Sequence, residues 1–184
     1  MNGIELNNCD YKELVKKMLK DNTKVDLLLT DPPYCVSRDY QLGFSNMGRA
    51  GMNYGEWDYN FDQKEWINLS APLVKPGGSI IIFNDWKIIG SIALYLEGLG
   101  LTIKDFLRWE KSNPMPRNTG RRYVTDFECA VWLTNKNAKW TYHNMSQSYQ
   151  RPKFTFGVVG GKEKTIHPTQ KPIALIEALI EIHS

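Results

Sequence analysis

Val25-Asp26-Leu27-Leu28-Leu29 runs directly into Thr30-Asp31-Pro32-Pro33-Tyr34. A short, branched, apolar run reads as a buried strand, and the proline pair must end it, because proline donates no ladder hydrogen bond. An acid, two rigid carbonyl-bearing residues and an aromatic ring therefore stand at the carboxyl edge of a strand. In open α/β sheets that edge is where ligands bind.

The residue types suggest activation of an exocyclic amine on a nucleobase. Such a nitrogen is a poor nucleophile because its lone pair is delocalised into the ring. The Asp31 carboxylate and a carbonyl of the proline pair could accept hydrogen bonds from the NH2 and localise that lone pair. Tyr34 offers a face for a flipped base, worth roughly 1–3 kcal/mol of stacking. The alternative is a plain Pro-Pro turn in which Asp31 caps the next segment.

Working outward, Ile4-Glu5-Leu6 is a strand candidate, and Asp10 precedes 11–19, whose apolar positions 14, 15, 18 and 19 fit a helix that Asp10 would cap. Strand, helix, strand is the opening of a βαβ unit. Residues 35–60 hold four glycines and no sustained period, so they read as a mobile lid beside the site or as surface disorder. Residues 62–74 read as a helix with Pro72 inside it, stopped by Lys75-Pro76-Gly77-Gly78, and Ser79-Ile80-Ile81-Ile82-Phe83 as a buried strand. A helix over 86–98, then Leu101-Thr102-Ile103, strands over 105–110 and 126–135, and a final helix from Ile173 with Pro172 at its start complete the pattern. That helix has apolar Ile173, Ile176, Leu179 and Ile180 opposite Glu177 and Glu181. Strand and helix alternate at α/β spacing, which predicts a largely parallel sheet.

The chain has 184 residues, enough for one domain with a proper core, and 42% hydrophobic with 23% charged residues excludes a disordered chain. No apolar run approaches the ~20 residues of a membrane span, and the first ten residues lack a signal pattern. Cys9, Cys35 and Cys129 are odd in number and far apart, which reads as reduced thiols in a cytoplasmic protein, with no metal site. A net charge of +3 decides nothing until it is located. It concentrates in 111–123, where Lys111, Arg117, Arg121 and Arg122 share an exposed, turn-rich loop that could lie along phosphates or be an ordinary solvated connection. Residues 136–164 interleave Trp140, Tyr142, Tyr149 and Phe154 with Lys139, Arg151, Lys153 and Lys162. That mixture suits a nucleic-acid surface and suits a variable insertion equally well.

Thr-Asp-Pro-Pro-Tyr at 30–34 together with His-Pro-Thr-Gln-Lys-Pro at 167–172 makes the chain resemble the β-group amino-methyltransferases of DNA. These S-adenosylmethionine-dependent enzymes belong to bacterial and phage modification systems. The resemblance spans residues 4–183 and includes Trp109-Glu110-Lys111-Ser112-Asn113-Pro114, the Arg121-Arg122 pair and Phe127-Glu128-Cys129. It implies a single α/β domain, a Rossmann-like methyltransferase sheet flanked by helices in permuted order, acting on double-stranded DNA. Asp31, Pro32, Pro33 and Tyr34 would be the catalytic tetrad, with Asp31 also touching the cofactor. Asp10 would contact adenosine, and His167, Thr169 and Lys171 would match the late cofactor motif. Lys111, Arg117, Arg121, Arg122 and Lys153 are the candidate DNA contacts, with target recognition in 136–165 and the cofactor half starting at 167. Asp rather than Ser at the head of the tetrad favours adenine N6 over cytosine N4 as acceptor, and a catalytically silent DNA-binding fragment is the alternative of a different class.

The family pattern continues past the last helix into a strand and a Gly-rich cofactor turn, whereas this sequence stops at Ser184. Gly157, Gly160 and Gly161 do not substitute, because no clear strand precedes them and no helix comes after them. The expectation is a fold incomplete at its C-terminal side with an apolar edge open beside Val25–Leu29, either a truncated product or one met by a homodimer or a complementing second chain.

Overall fold

The Val25–Thr30 run does form a strand, β1, and Pro32-Pro33 end it. The computed structural model describes residues 3–34, 61–116, 120–121, 123–146, 148–167 and 169–184. The lid expected over 35–60 lies outside the described residues, as do Arg117 and Arg122. β1 pairs in parallel with β2 (Val74–Asn84), in the register Leu27 to Ser79 and Thr30 to Ile82. Next in the sheet come β4 (Phe127–Asn135), β3 (Leu101–Lys111) and β5 (Lys153–Phe156), giving the order β1-β2-β4-β3-β5.

This sheet is mixed rather than largely parallel. β4 runs antiparallel to both β2 and β3, while β1–β2 and β3–β5 are parallel. The reason is connectivity: among the described residues no helix lies between β3 and β4, and without a crossover a strand must return antiparallel to its predecessor. The arrangement brings the ends of β1, β2, β3 and β5 and the beginning of β4 to one edge.

Helices α1 (Tyr11–Lys20), α2 (Gln63–Ser70) and α3 (Ile89–Gly98) cover one face. There Trp66, Ile67, Ile89, Ile92 and Leu96 pack on Ile80, Ile82, Val131 and Leu133. Helix α4 (Ile173–His183) covers the other, with Leu175 and Leu179 on Ile81, Phe83, Leu107, Trp109, Ala130 and Trp132. None of the helices in the described residues is long and apolar enough to cross a membrane.

Four local expectations are corrected. Residues 3–8 form no strand, and Ile4 and Leu6 are 92% and 91% exposed. Helix α2 stops at Ser70, because Pro72 has no N–H to continue it; one 3-10 turn comes next and β2 begins at Val74. The Lys75-Pro76-Gly77-Gly78 stretch is thus a bulge inside β2, with Val25 and Leu27 of β1 set against Val74 and Ser79. Finally, α4 buries Leu175, Leu179, Ile182 and His183, leaving Ile173 and Ile180 exposed.

Candidate active site

Side chains two apart on a strand share a face. Leu27 and Leu29 belong to the α4-side core, so Asp31, the next in that series, turns to the same side. Phe83 ends the corresponding series on β2, Lys111 comes after Trp109 on β3, and Glu128 precedes Ala130 on β4. Because β4 runs the opposite way, its beginning meets the other strands' ends. Sheet topology alone gathers Asp31, Phe83, Lys111 and Glu128 at one corner.

Lys171 enters that corner just before Pro172, the N-cap of α4. Its ammonium lies 2.8 Å from Asp31 Oδ2 and 3.0 Å from Glu128 Oε2, and its side chain is 7% exposed. Glu128 Oε1 meets Lys111 Nζ at 2.8 Å. The Tyr34 hydroxyl donates to Asp31 Oδ1 at 2.7 Å. The Lys171 ammonium also stands 5.4 Å from the ring centres of both Tyr34 and Phe83, within range of a cation–π contact.

These contacts fix the protonation states. Burial works against the charge of Lys171, but Glu128 and Asp31 outweigh it and hold its pKa above the usual lysine value. Burial pushes the Glu128 carboxyl up, yet Lys171 and Lys111 bring it below the ordinary value. Tyr34 is driven far up by burial and by the Asp31 and Glu128 charges, so it remains a hydrogen-bond donor. Each Asp31 oxygen already accepts one bond, from Tyr34 or Lys171, and an ionised carboxylate retains further acceptor capacity.

The residues singled out in the sequence divide into groups. Asp31, Pro32, Pro33, Tyr34 and Lys171 come together here. Asp10 is the N-cap of α1, its carboxylate accepting from Lys12 N at 2.7 Å. His167 and Thr169 are exposed in the turn before Lys171, where Thr169 N donates to His167 Nδ1 at 3.3 Å. Lys111 corrects the expectation of an exposed basic loop: its side chain is 17% exposed and turned inward to Glu128. Lys153 lies on β5 and pairs with Glu110 at 2.6 Å, and Arg121 is exposed. The 136–165 stretch contributes β5 to the sheet. Gly157 therefore does come after a strand, but the first helical element beyond it is a single 3-10 turn, Gly161–Glu163.

The N6/N4 methylase family, described as DNA methylase, matches residues 25–184. The chain belongs to this DNA methylase family. A type II methyltransferase of Moraxella bovis, M2.MboI, is 32% identical over 178 residues, covering 88% of this chain and 64% of that relative. M2.DpnII of Streptococcus pneumoniae is 28% identical, over 97% of this chain and 72% of its own length. Among solved structures, the M1.HpyAVI–SAM complex superposes with a TM-score of 0.75 at 40% identity, over 99% of this chain and 78% of that one. The cytosine-N4-specific PvuII DNA methyltransferase, at 15% identity and a TM-score of 0.63 over 96% of this chain and 68% of its own, shares the fold.

Within this member of the family, sequence reading passes over Glu128 and Phe83 at the corner. Glu128 is paired in register with Trp109 and is a diagonal neighbour of Lys111. An acid beginning an otherwise apolar strand is the signal that could have found it. Gln63 escapes sequence reading as well: its Nε2 donates to the Pro33 carbonyl at 2.6 Å from the opposite face of the sheet.

Proposed function

We propose that the protein methylates the N6 amino group of adenine in double-stranded DNA, using S-adenosylmethionine. The observation that carries this reading is the Asp31 carboxylate, held by Tyr34 and Lys171 beside Pro32 at the carboxyl edge of β1. Asp31 and the Pro32 carbonyl would accept hydrogen bonds from the amino group and localise its lone pair. Methylation would make the nitrogen acidic, and Asp31 would accept its proton and pass it to water. Tyr34 would stack on the extruded base. Adenine is favoured over cytosine by Asp31 at the head of the tetrad, and the relatives' names supply the methyltransferase class.

The corner fits the proposed cofactor. Its charge is a sulfonium cation with a zwitterionic amino-acid tail, and the Tyr34 and Phe83 rings already flank a cation beside a carboxylate. When bound, S-adenosylmethionine supplies the electrophilic methyl group. Asp31, Lys171, His167, Thr169 and Asp10 are the residues that would hold it, and similarity to a SAM complex supports the choice of cofactor. Arg121 and Lys153, with Arg117, Arg122 and the 136–165 stretch, would line the DNA. The same reading includes action in the cytoplasm and pairing of β1's outer edge with a second copy or a complementing chain.

The test is transfer of labelled methyl from S-adenosylmethionine into unmethylated DNA, with digestion to nucleosides afterwards. Label in N6-methyladenine that disappears with Asp31→Ala is the expected result. Label in N4-methylcytosine would move the acceptor, and DNA unlabelled at saturating cofactor would overturn the enzyme reading.

A further inference from the structure

The Asp31–Tyr34 turn has an anchoring problem that the sheet does not solve. Pro32 and Pro33 carry no N–H groups, so two consecutive residues can be tied by their backbone only through carbonyl oxygens. The Pro33 carbonyl is tied, by the 2.6 Å bond from Gln63 Nε2. Gln63 is the first residue of α2. Its amide cannot flip without loss, because Trp66 Nε1 donates to Gln63 Oε1 at 2.8 Å. An indole N–H only donates and a carbonyl only accepts, so the two partners together direct Nε2 at Pro33. Trp66 is 4% exposed and packed in the core beneath α2 and α3. A chain of two hydrogen bonds thus joins the rigid core to the turn.

We infer that Gln63 is a positioning residue for methyl transfer, aiming the Pro32 carbonyl at the target amino group. The geometry is transmitted through covalent constraints. The Pro33 ring nitrogen belongs to the Pro32–Pro33 peptide, that peptide is planar, and the ring fixes φ near −65°. With φ fixed, ψ of Pro33 is the one soft torsion left between the two carbonyls, so pinning the Pro33 carbonyl restricts the direction of the Pro32 carbonyl. Lys171 and Tyr34 hold the Asp31 carboxylate from the α4 side, while Gln63 holds the main chain from the α2 side. The two acceptors of one NH2 group are secured independently, from opposite faces of the sheet. This inference rests on the proposed function, in which the Pro32 carbonyl accepts from the amino group.

The experiment is single-turnover methylation by the wild type, Gln63→Met, Gln63→Glu and Trp66→Phe. Gln63→Met keeps side-chain length and removes both bonds; Gln63→Glu retains the acceptor for Trp66 and sets a carboxylate oxygen against the Pro33 oxygen. Misplacement of a reacting group by an ångström can cost on the order of 100-fold, so the Gln63 variants should lose roughly 10- to 100-fold in the methyl-transfer rate. Their cofactor and DNA binding should stay within about threefold of the wild type, and Trp66→Phe should fall between. The Pro33 carbonyl 13C resonance, read by NMR without any turnover, should move in Gln63→Met. An active wild type with an unchanged rate in both Gln63 variants, losses confined to binding, or an unmoved Pro33 resonance would each overturn the inference alone. A wild type that transfers no methyl would instead overturn the reading on which it rests.

Discussion

Glu128 is the residue on which the charge balance of the corner depends, because it stands between two ammonium groups that would otherwise face each other. Lys171 and Lys111 approach it at 3.0 and 2.8 Å, and among the described residues Lys171 has only Asp31 as a second carboxylate partner. Removing one partner of a buried pair is far costlier than the pair is worth, about 3–5 kcal/mol when burial is complete. Glu128 keeps some solvent contact, so Glu128→Gln should destabilise by roughly 1–3 kcal/mol at pH 7, measured by urea unfolding. Its folded pKa is depressed, so this contribution is present above the unfolded value near 4.3 and lost as pH falls through the folded one. The wild-type and Glu128→Gln curves should therefore converge below about pH 4.3; a constant gap through that window would contradict the ion-pair account. Asp31, Tyr34 and Lys171 are legible in the sequence because each sits in a short local motif. Glu128 is not, since its partners come from β3 and from the approach to α4, far away in the chain. Lys111 is misjudged because its neighbours in sequence are polar, while the acid that draws it inward lies across the sheet.

At the scale of elements, β2 and α4 depart furthest from their sequence pattern, and both departures have a packing cause. Gly78 faces main chain where a side chain would stand: an added Cβ would come within 2.7 Å of the Asp26 carbonyl oxygen and of Val74 Cγ1. Gly78→Ala should therefore cost about 1–3 kcal/mol, as overpacking does, seen as a lower urea midpoint at unchanged slope. Pro and Gly read as a helix stop because local propensity cannot see β1 passing beside them. The amphipathic pattern of α4 likewise points to Ile173 and Ile180, but the helix turns His183 inward against Trp132, with ring centres 4.5 Å apart, and beside Tyr142. Burial lowers the His183 imidazole pKa to about 4. A histidine buried neutral stabilises above its unfolded pKa near 6.5, and that stability is lost as pH falls from there towards 4. The wild type should lose up to roughly 3 kcal/mol over this interval, and His183→Phe should remove most of the slope. Asp105 and Arg151 line the same pocket of about 30 Å³, so the comparison is with the variant and not with a flat line. An unaltered slope in His183→Phe would assign the pH dependence to other groups.

For the molecule as a whole, the two ends of the sheet are protected unequally. β5 closes one end with only four residues, one of them a lysine, and short, charged edge strands resist further pairing. β1 closes the other with six residues, Leu27-Leu28-Leu29 at their centre. Among the described residues β1 is hydrogen-bonded to a strand on one side only. From Leu27 on, its alternate N–H and C=O groups are directed outward with no proline until Pro32 to blunt them. Such an edge is a template for another strand, and parallel strands buried on both faces make unusually apolar ones. The 184-residue protein should accordingly associate as its concentration rises. Light scattering should show the mean mass increasing between about 1 and 100 µM, since association obeys mass action. Hydrogen exchange locates the contact: peptides covering 25–30 should gain protection with concentration, while those covering 153–156 should not. A monodisperse monomer across the range would count against an exposed edge in solution, and protection gained at β5 instead would place the contact at the other end of the sheet. Because β1 delivers Asp31 to the site, a partner strand there would also stiffen the element that carries the proposed catalytic turn. Association and methyl transfer should then rise together with protein concentration, and a specific activity independent of concentration in an associating sample would separate the two.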